Sequence, residues 1–254
     1  MIAVFKKDLS AYFTSSMAYI MIAIFVFLAG ALFFVRILSF EESSAYASMY
    51  AMQSGGGYTI NNAVLEPSIM NVAFLLLLIL PLFTMRVFSE EKRHGTLELL
   101  FTYPVTEWQL VIGKLFSCLC VIGLGLLITL LFNLCISGAG GFDWSYLIAG
   151  YFGLVLLSAA SISVGLWVSS FTDKQLIAGI VTFMILLAFW LAGIPAYFSS
   201  GFWADVFNTL SFDTGLQNFS KGVLDLKNIL YFVCFSLFFL YLTYYNLLAR
   251  KWRG

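Results

Sequence analysis

The residues best placed to do chemistry lie between Arg86 and Lys114, RVFSEEKRHGTLELLFTYPVTEWQLVIGK, a long polar passage with both charge signs. Strongly apolar runs flank it on either side. Glu90, Glu91, Lys92, Arg93 and His94 read as a solvated cluster whose chemistry is charge pairing with a partner surface. Gly95 offers a turn, because a residue without Cβ adopts backbone conformations that others resist. Thr96 is suited to cap a short helix over residues 97–103, with Glu98 in the first turn where a carboxylate complements the dipole. Pro104 ends that helix by excluding its predecessor from the helical region. Thr106 opens the next helix, and Gln109 three residues on completes a capping box. A short helix closed at both ends between two apolar runs is a docking element.

Other chemistry lacks its residues. There is no Gly-x-x-x-x-Gly-Lys-[Ser/Thr] phosphate loop, no His-Glu-x-x-His and no Gly-x-Ser-x-Gly, so nucleotide binding by that loop, metalloprotease and hydrolase readings have no support. One histidine leaves zinc and iron centres little to work with. Cys118, Cys120, Cys135 and Cys234 fall inside apolar runs and read as buried thiols rather than a disulfide framework. No catalytic, cofactor-binding or metal-binding residue is assigned.

The elements that must hold the docking passage are membrane spans. Of 254 residues, 61% are hydrophobic and only 10% charged, against about a quarter in soluble domains. Mean hydropathy is +0.96, and a net charge of zero gives no basic signal for nucleic acid. The expected fold is all-α and polytopic, a single domain over 1–254 with an amphipathic interfacial helix at 1–14. Six spans follow, at 17–38, 67–85, 110–137, 146–170, 175–197 and 229–248, each long enough for a hydrocarbon core of about 30 Å. The first run is too long for the apolar core of a cleaved signal peptide. Residues 86–109 form the polar loop that carries the docking element, and 199–228 form two short interfacial helices, broken near Asp213 to Gly215. The acidic stretch 39–66, with Gly55, Gly56 and Gly57, reads as flexible.

Pro81 inside the second span removes a backbone hydrogen bond and is expected to kink it. Ser161, Gly165 and Ser169 line one face of the fourth span, where small residues allow close helix packing within the subunit. Asn71, Thr129, Asn133 and the other polar residues of the spans are expected to satisfy neighbouring helices. Lys6, Lys7, Arg86, Lys92, Arg93, Lys114, Lys174, Arg250, Lys251 and Arg253 fall on one side and only Arg36, Lys221 and Lys227 on the other. The positive-inside rule therefore puts both termini and the docking passage in the cytoplasm.

The pattern FSEEKRHGTLELL, followed by Pro104, Trp108, Gln109, Gly113 and Lys114, resembles the cytoplasmic loop of ABC-2-type transporter permeases. It is most similar to the branch with the gliding-motility permease and the permease of copper-enzyme maturation exporters. The resemblance implies that the loop carries a coupling helix touching a separate ATP-binding subunit, which holds ATP and Mg. It implies contact through Glu90, Glu91, Arg93, Gly95, Thr96, Leu97, Glu98, Leu99, Leu100 and Phe101. It further implies an exporter built on a homo- or heterodimer of permeases, in the cell inner membrane, with extracytoplasmic helices between spans five and six. Two other readings stay open. A self-contained channel or secondary carrier is disfavoured by spans whose centres hold no ionisable group. A membrane regulator that only recruits a partner is the other.

Overall fold

The computed structural model describes residues 2–50, 60–93, 95, 106–136, 142–198 and 201–251, and the described residues are helical, with no strand among them. Helix α1 (Ile2–Thr14) precedes α2 (Ser16–Tyr50). A π-turn, Asn61–Leu65, runs directly into α3 (Glu66–Thr84), and the five-residue α4 (Ser89–Arg93) follows. Then come α5 (Glu107–Leu134), α6 (Trp144–Phe171), α7 (Gln175–Leu191), α8 (Phe202–Leu210), α9 (Phe212–Ser220) and α10 (Leu226–Lys251). Among the described residues, six helices are long and apolar enough to cross a membrane: Ser16–Glu41, Asn61–Arg93, Glu107–Leu134, Trp144–Phe171, Gln175–Ala196 and Leu226–Ala249.

Local chemistry sets several boundaries. Thr106 accepts the Gln109 N–H and Gln109 reaches back to the Thr106 N–H, both at 3.4 Å, so α5 starts at a complete capping box. Asp143 caps α6 by accepting the Ser145 N–H at 3.0 Å, and hydrogen bonds from Ser145 hold its carboxyl below the usual value. Two boundaries differ from the sequence expectation. Helix α2 continues to Tyr50 through the stretch expected to be flexible from Ser39, because Glu41, Glu42, Ala45, Ala47 and Met49 favour a helix and neither Gly nor Pro intervenes before Tyr50. The break between α8 and α9 falls at Ser211 rather than at Asp213 to Gly215. Ser211 leaves the helical region there and its hydroxyl accepts the Thr214 N–H, the N-cap geometry.

Helices α3 and α6 form the core. In each, 72% of the apolar stretch is buried, against 17% for α2 and 28% for α10. A helix apolar all round belongs inside, and α6 packs against α3, α5, α7, α9 and α10. The outer helices present Ile20, Phe27, Phe34, Leu176, Ile180 and Phe238 outward, as lipid contact requires. Helix α9 is buried, with Phe212, Leu216 and Phe219 inserted between α6 and α10. Pro81 is buried within α3, which continues past it to Thr84.

Close approach of α3 and α6 depends on glycine. A Cβ on Gly165 would lie 2.1 Å from Thr84 Oγ1, and one on Gly150 would lie 2.3 Å from Ile69 Cδ1. Ser161 and Ser169 are buried on the same helix. Gly165→Ala is therefore expected to lower the thermal unfolding midpoint in detergent, since overpacking costs roughly 1–3 kcal/mol. Gly123→Ala, where a Cβ meets nothing within 4 Å, is expected to leave it unchanged or raise it. Equal behaviour of the two variants would contradict the packing argument.

Candidate functional site

The helix α4 follows directly on the turn that ends α3, and its successive side chains are splayed by about 100°. That angle sends Glu91 and Lys92 into different neighbours. Glu91 turns toward α5 and α1. Its Oε2 lies 2.9 Å from Lys114 Nζ, and its Oε1 lies 3.5 Å from Lys7 Nζ. Lys114 sits seven residues into α5, about 10 Å from its start, with its side chain only 3% exposed. Its ammonium also meets Asp8 Oδ2 at 3.4 Å and donates to the Val87 carbonyl at 3.1 Å. The ammonium thus has one aligned hydrogen bond, to the Val87 carbonyl, and two ion pairs by proximity with Asp8 and Glu91. The Phe88 ring, itself fully buried, lies 5.1 Å from the ammonium, within cation–π range.

The first helix is fixed at a second point, where Tyr12 and Cys118 share a hydrogen bond at 3.3 Å. Burial pushes the Asp8 carboxyl above its ordinary value, while Lys114 pulls it down. The sign follows directly. A carboxyl whose folded pKa is raised favours the fold while protonated and loses that contribution as pH rises through the folded value. At neutral pH the Asp8 charge is therefore a burden, and Asp8→Asn is expected to leave the unfolding midpoint unchanged or higher. Glu91→Gln, which removes the 2.9 Å pair, is expected to lower it. A midpoint that falls as far for Asp8→Asn as for Glu91→Gln would refute this ranking.

Lys92 turns the other way. Its side chain is 1% exposed, donates to the Ser170 carbonyl and lies 3.9 Å from Asp173. Ser89 donates to the Ser169 carbonyl at 3.4 Å, and Asn246 of α10 donates to the Ser170 carbonyl at 3.0 Å and to its hydroxyl at 2.7 Å. The last carbonyls of a helix lack partners within it, and a cation there also complements the dipole. Helix α4 is thus a brace. One side holds α1 and α5, and the other holds the end of α6 and, through it, α10. The chain leaves α4 at Gly95, whose φ of 67° is left-handed, a conformation glycine adopts without strain.

These contacts revise the reading of residues 90–94 as one solvated cluster. Arg93 and Gly95 are exposed, Glu90 is half-buried, and Glu91 and Lys92 are engaged inside the protein. Thr96, Leu97, Glu98, Leu99, Leu100 and Phe101 lie outside the described residues, as does the expected helix over 97–103. Sequence reasoning missed Asp8 and Lys114 as members of the site. A signal existed, because Lys114 falls inside the third expected span, where an ionisable residue demands a partner. The thiols also differ from expectation: Cys118 is buried, whereas Cys120, Cys135 and Cys234 are exposed on the bundle surface.

One protein family, described as ABC-2 family transporter protein, has a profile that matches residues 2–252. No curated protein matches the chain.

Proposed function

The chain belongs to the ABC-2 transporter family, and from that premise we propose that it couples ATP hydrolysis on a separate subunit to export across the cell inner membrane. As the membrane-spanning permease component of an ABC transporter, it contributes six spans and partners an ATP-binding subunit. In this reading that subunit holds ATP and Mg, and the chain binds no cofactor of its own. Both termini and the 86–114 passage face the cytoplasm, as the lysine and arginine distribution favours. Two permeases, identical or related, form the transport route between them.

The observation that carries this reading is the α4 brace. A partner pressing on the loop after Gly95 moves α4, and α4 is tied by Glu91 to α1 and α5 and by Lys92 to α6. A push on α4 therefore reaches three helices directly and α10 through α6. Outer contact falls to Arg93, Gly95 and the segment 96–101, with Glu90 at the margin.

The test is copurification from mild detergent followed by reconstitution. An ATP-binding subunit in equal amount, and cargo movement that requires ATP and that subunit, are expected. Transport by the chain alone in liposomes, or a stable partner without a nucleotide site, would overturn the reading.

A further inference from the structure

Where α3 gives way to α4, Arg86 borders a cavity of about 310 Å3 whose opposite wall is α1. Six charged side chains line it: Lys7, Asp8, Arg86, Glu90, Glu91 and Lys114. Four of them are matched to one another. Lys114 holds Asp8 and Glu91, and Lys7 holds the other oxygen of Glu91. Arg86 stands apart. Its Nε is buried and makes no hydrogen bond, and among the described residues no carboxylate lies within 4 Å of its guanidinium, Glu90 one turn on included. A buried donor without an acceptor is costly, more so when it is charged. The geometry of a guanidinium suits an oxyanion that accepts two parallel N–H bonds.

Depth identifies the oxyanion. Helix α1 is the amphipathic interfacial helix, and the cavity's α1 wall includes Ser15, at its junction with the first span. Arg86 lies in the turn just past the end of α3 at Thr84, ahead of α4. A cavity between those two points opens at the level of lipid headgroups, where phosphate is the abundant anion and basic side chains gather. The six lining charges cancel, three against three, so a phosphodiester with one negative charge is accommodated better than a monoester with two. We propose that this cavity seats the phosphate of a membrane phospholipid, held by the Arg86 guanidinium with Lys7 at the mouth. The site requires only that the chain sits in a bilayer, so it stands or falls independently of ATP coupling.

The experiment is native mass spectrometry of the full chain in detergent, titrated with phosphatidylglycerol, with phosphatidylcholine and with soluble glycerol 3-phosphate. One retained phosphatidylglycerol is expected, with phosphatidylcholine held less because its trimethylammonium faces Lys7. Arg86→Gln is expected to weaken retention by about ten-fold or more. Arg86→Lys keeps the charge but loses the fork, and an intermediate loss is expected. It carries the test if the glutamine variant does not fold. Lys174→Gln, an exposed cation on another loop, is expected to change nothing. Retention undiminished in both Arg86 variants overturns the proposal, as does equal occupancy by glycerol 3-phosphate. Loss of the copurifying ATP-binding subunit with lipid retention intact would assign the guanidinium to a protein carboxylate and overturn it too.

Discussion

Lys114→Gln is expected to destabilise the protein by roughly 3–5 kcal/mol, the usual cost of removing one member of a buried ion pair. The ammonium is 3% exposed and has Glu91 at 2.9 Å and Asp8 at 3.4 Å. Without it two carboxylates remain in a site from which water is largely excluded. Domains are stable by only about 5–15 kcal/mol, so the expected readout is loss of the monodisperse peak in size-exclusion chromatography and a steep fall in the unfolding midpoint. The informative partner is the triple variant Asp8→Asn, Glu91→Gln, Lys114→Gln. It buries no charge and is expected to recover most of the fold. What it should not recover is tight coupling, since neutral hydrogen bonds replace the charged ties of α4 to α1 and α5. ATP hydrolysis that continues while transport drops is the expected signature. A triple variant as unstable as the single one would show that the ion pairs hold the fold by attraction, and that the unpaired charges are not the cause of the loss.

The second large effect concerns the outer side of the same element. Arg93→Glu combined with Leu100→Asp is expected to weaken retention of the ATP-binding subunit by roughly thirty-fold or more, equivalent to the 2 kcal/mol or more that marks an interface hot spot. Arg93 is exposed, so the unfolding midpoint of the isolated chain should not move with its reversal. Glu91→Lys offers the contrast. It places a cation against Lys114 and Lys7, and its expected result is misfolding rather than a clean loss of partner. Undiminished retention in the Arg93 and Leu100 variant would move the docking surface away from this loop.

How much was legible in the sequence depended on the reach of each interaction. The capping box of Thr106 and Gln109 spans three residues, and its two hydrogen bonds are where local rules put them. The six long helices follow from runs of apolar residues that no soluble fold would tolerate. The direction of side chains on α4 was not legible, because it is decided by distant partners. Glu91 and Lys92 are neighbours of opposite charge, which on their own read as a solvated pair. Only the fold reveals that Asp8 lies against a lysine 106 positions later in the chain, or that Ser170 offers a helix-terminal carbonyl to Lys92. The Ser211 break was missed for a similar reason. Gly215 is the residue most tolerant of a turn, yet Ser211 wins by capping Thr214 and donating to the Trp190 carbonyl at 3.3 Å, a contact no local rule supplies.

The bond between Tyr12 and Cys118 has a practical corollary. Three thiols, at positions 120, 135 and 234, are exposed on the surface of the bundle, while the fourth is roofed by α1. A lipophilic maleimide should therefore label three cysteines per chain in the resting protein. Capture of a fourth would time the moment when the amphipathic helix lifts away, giving a native clock for the working cycle with no engineered residue.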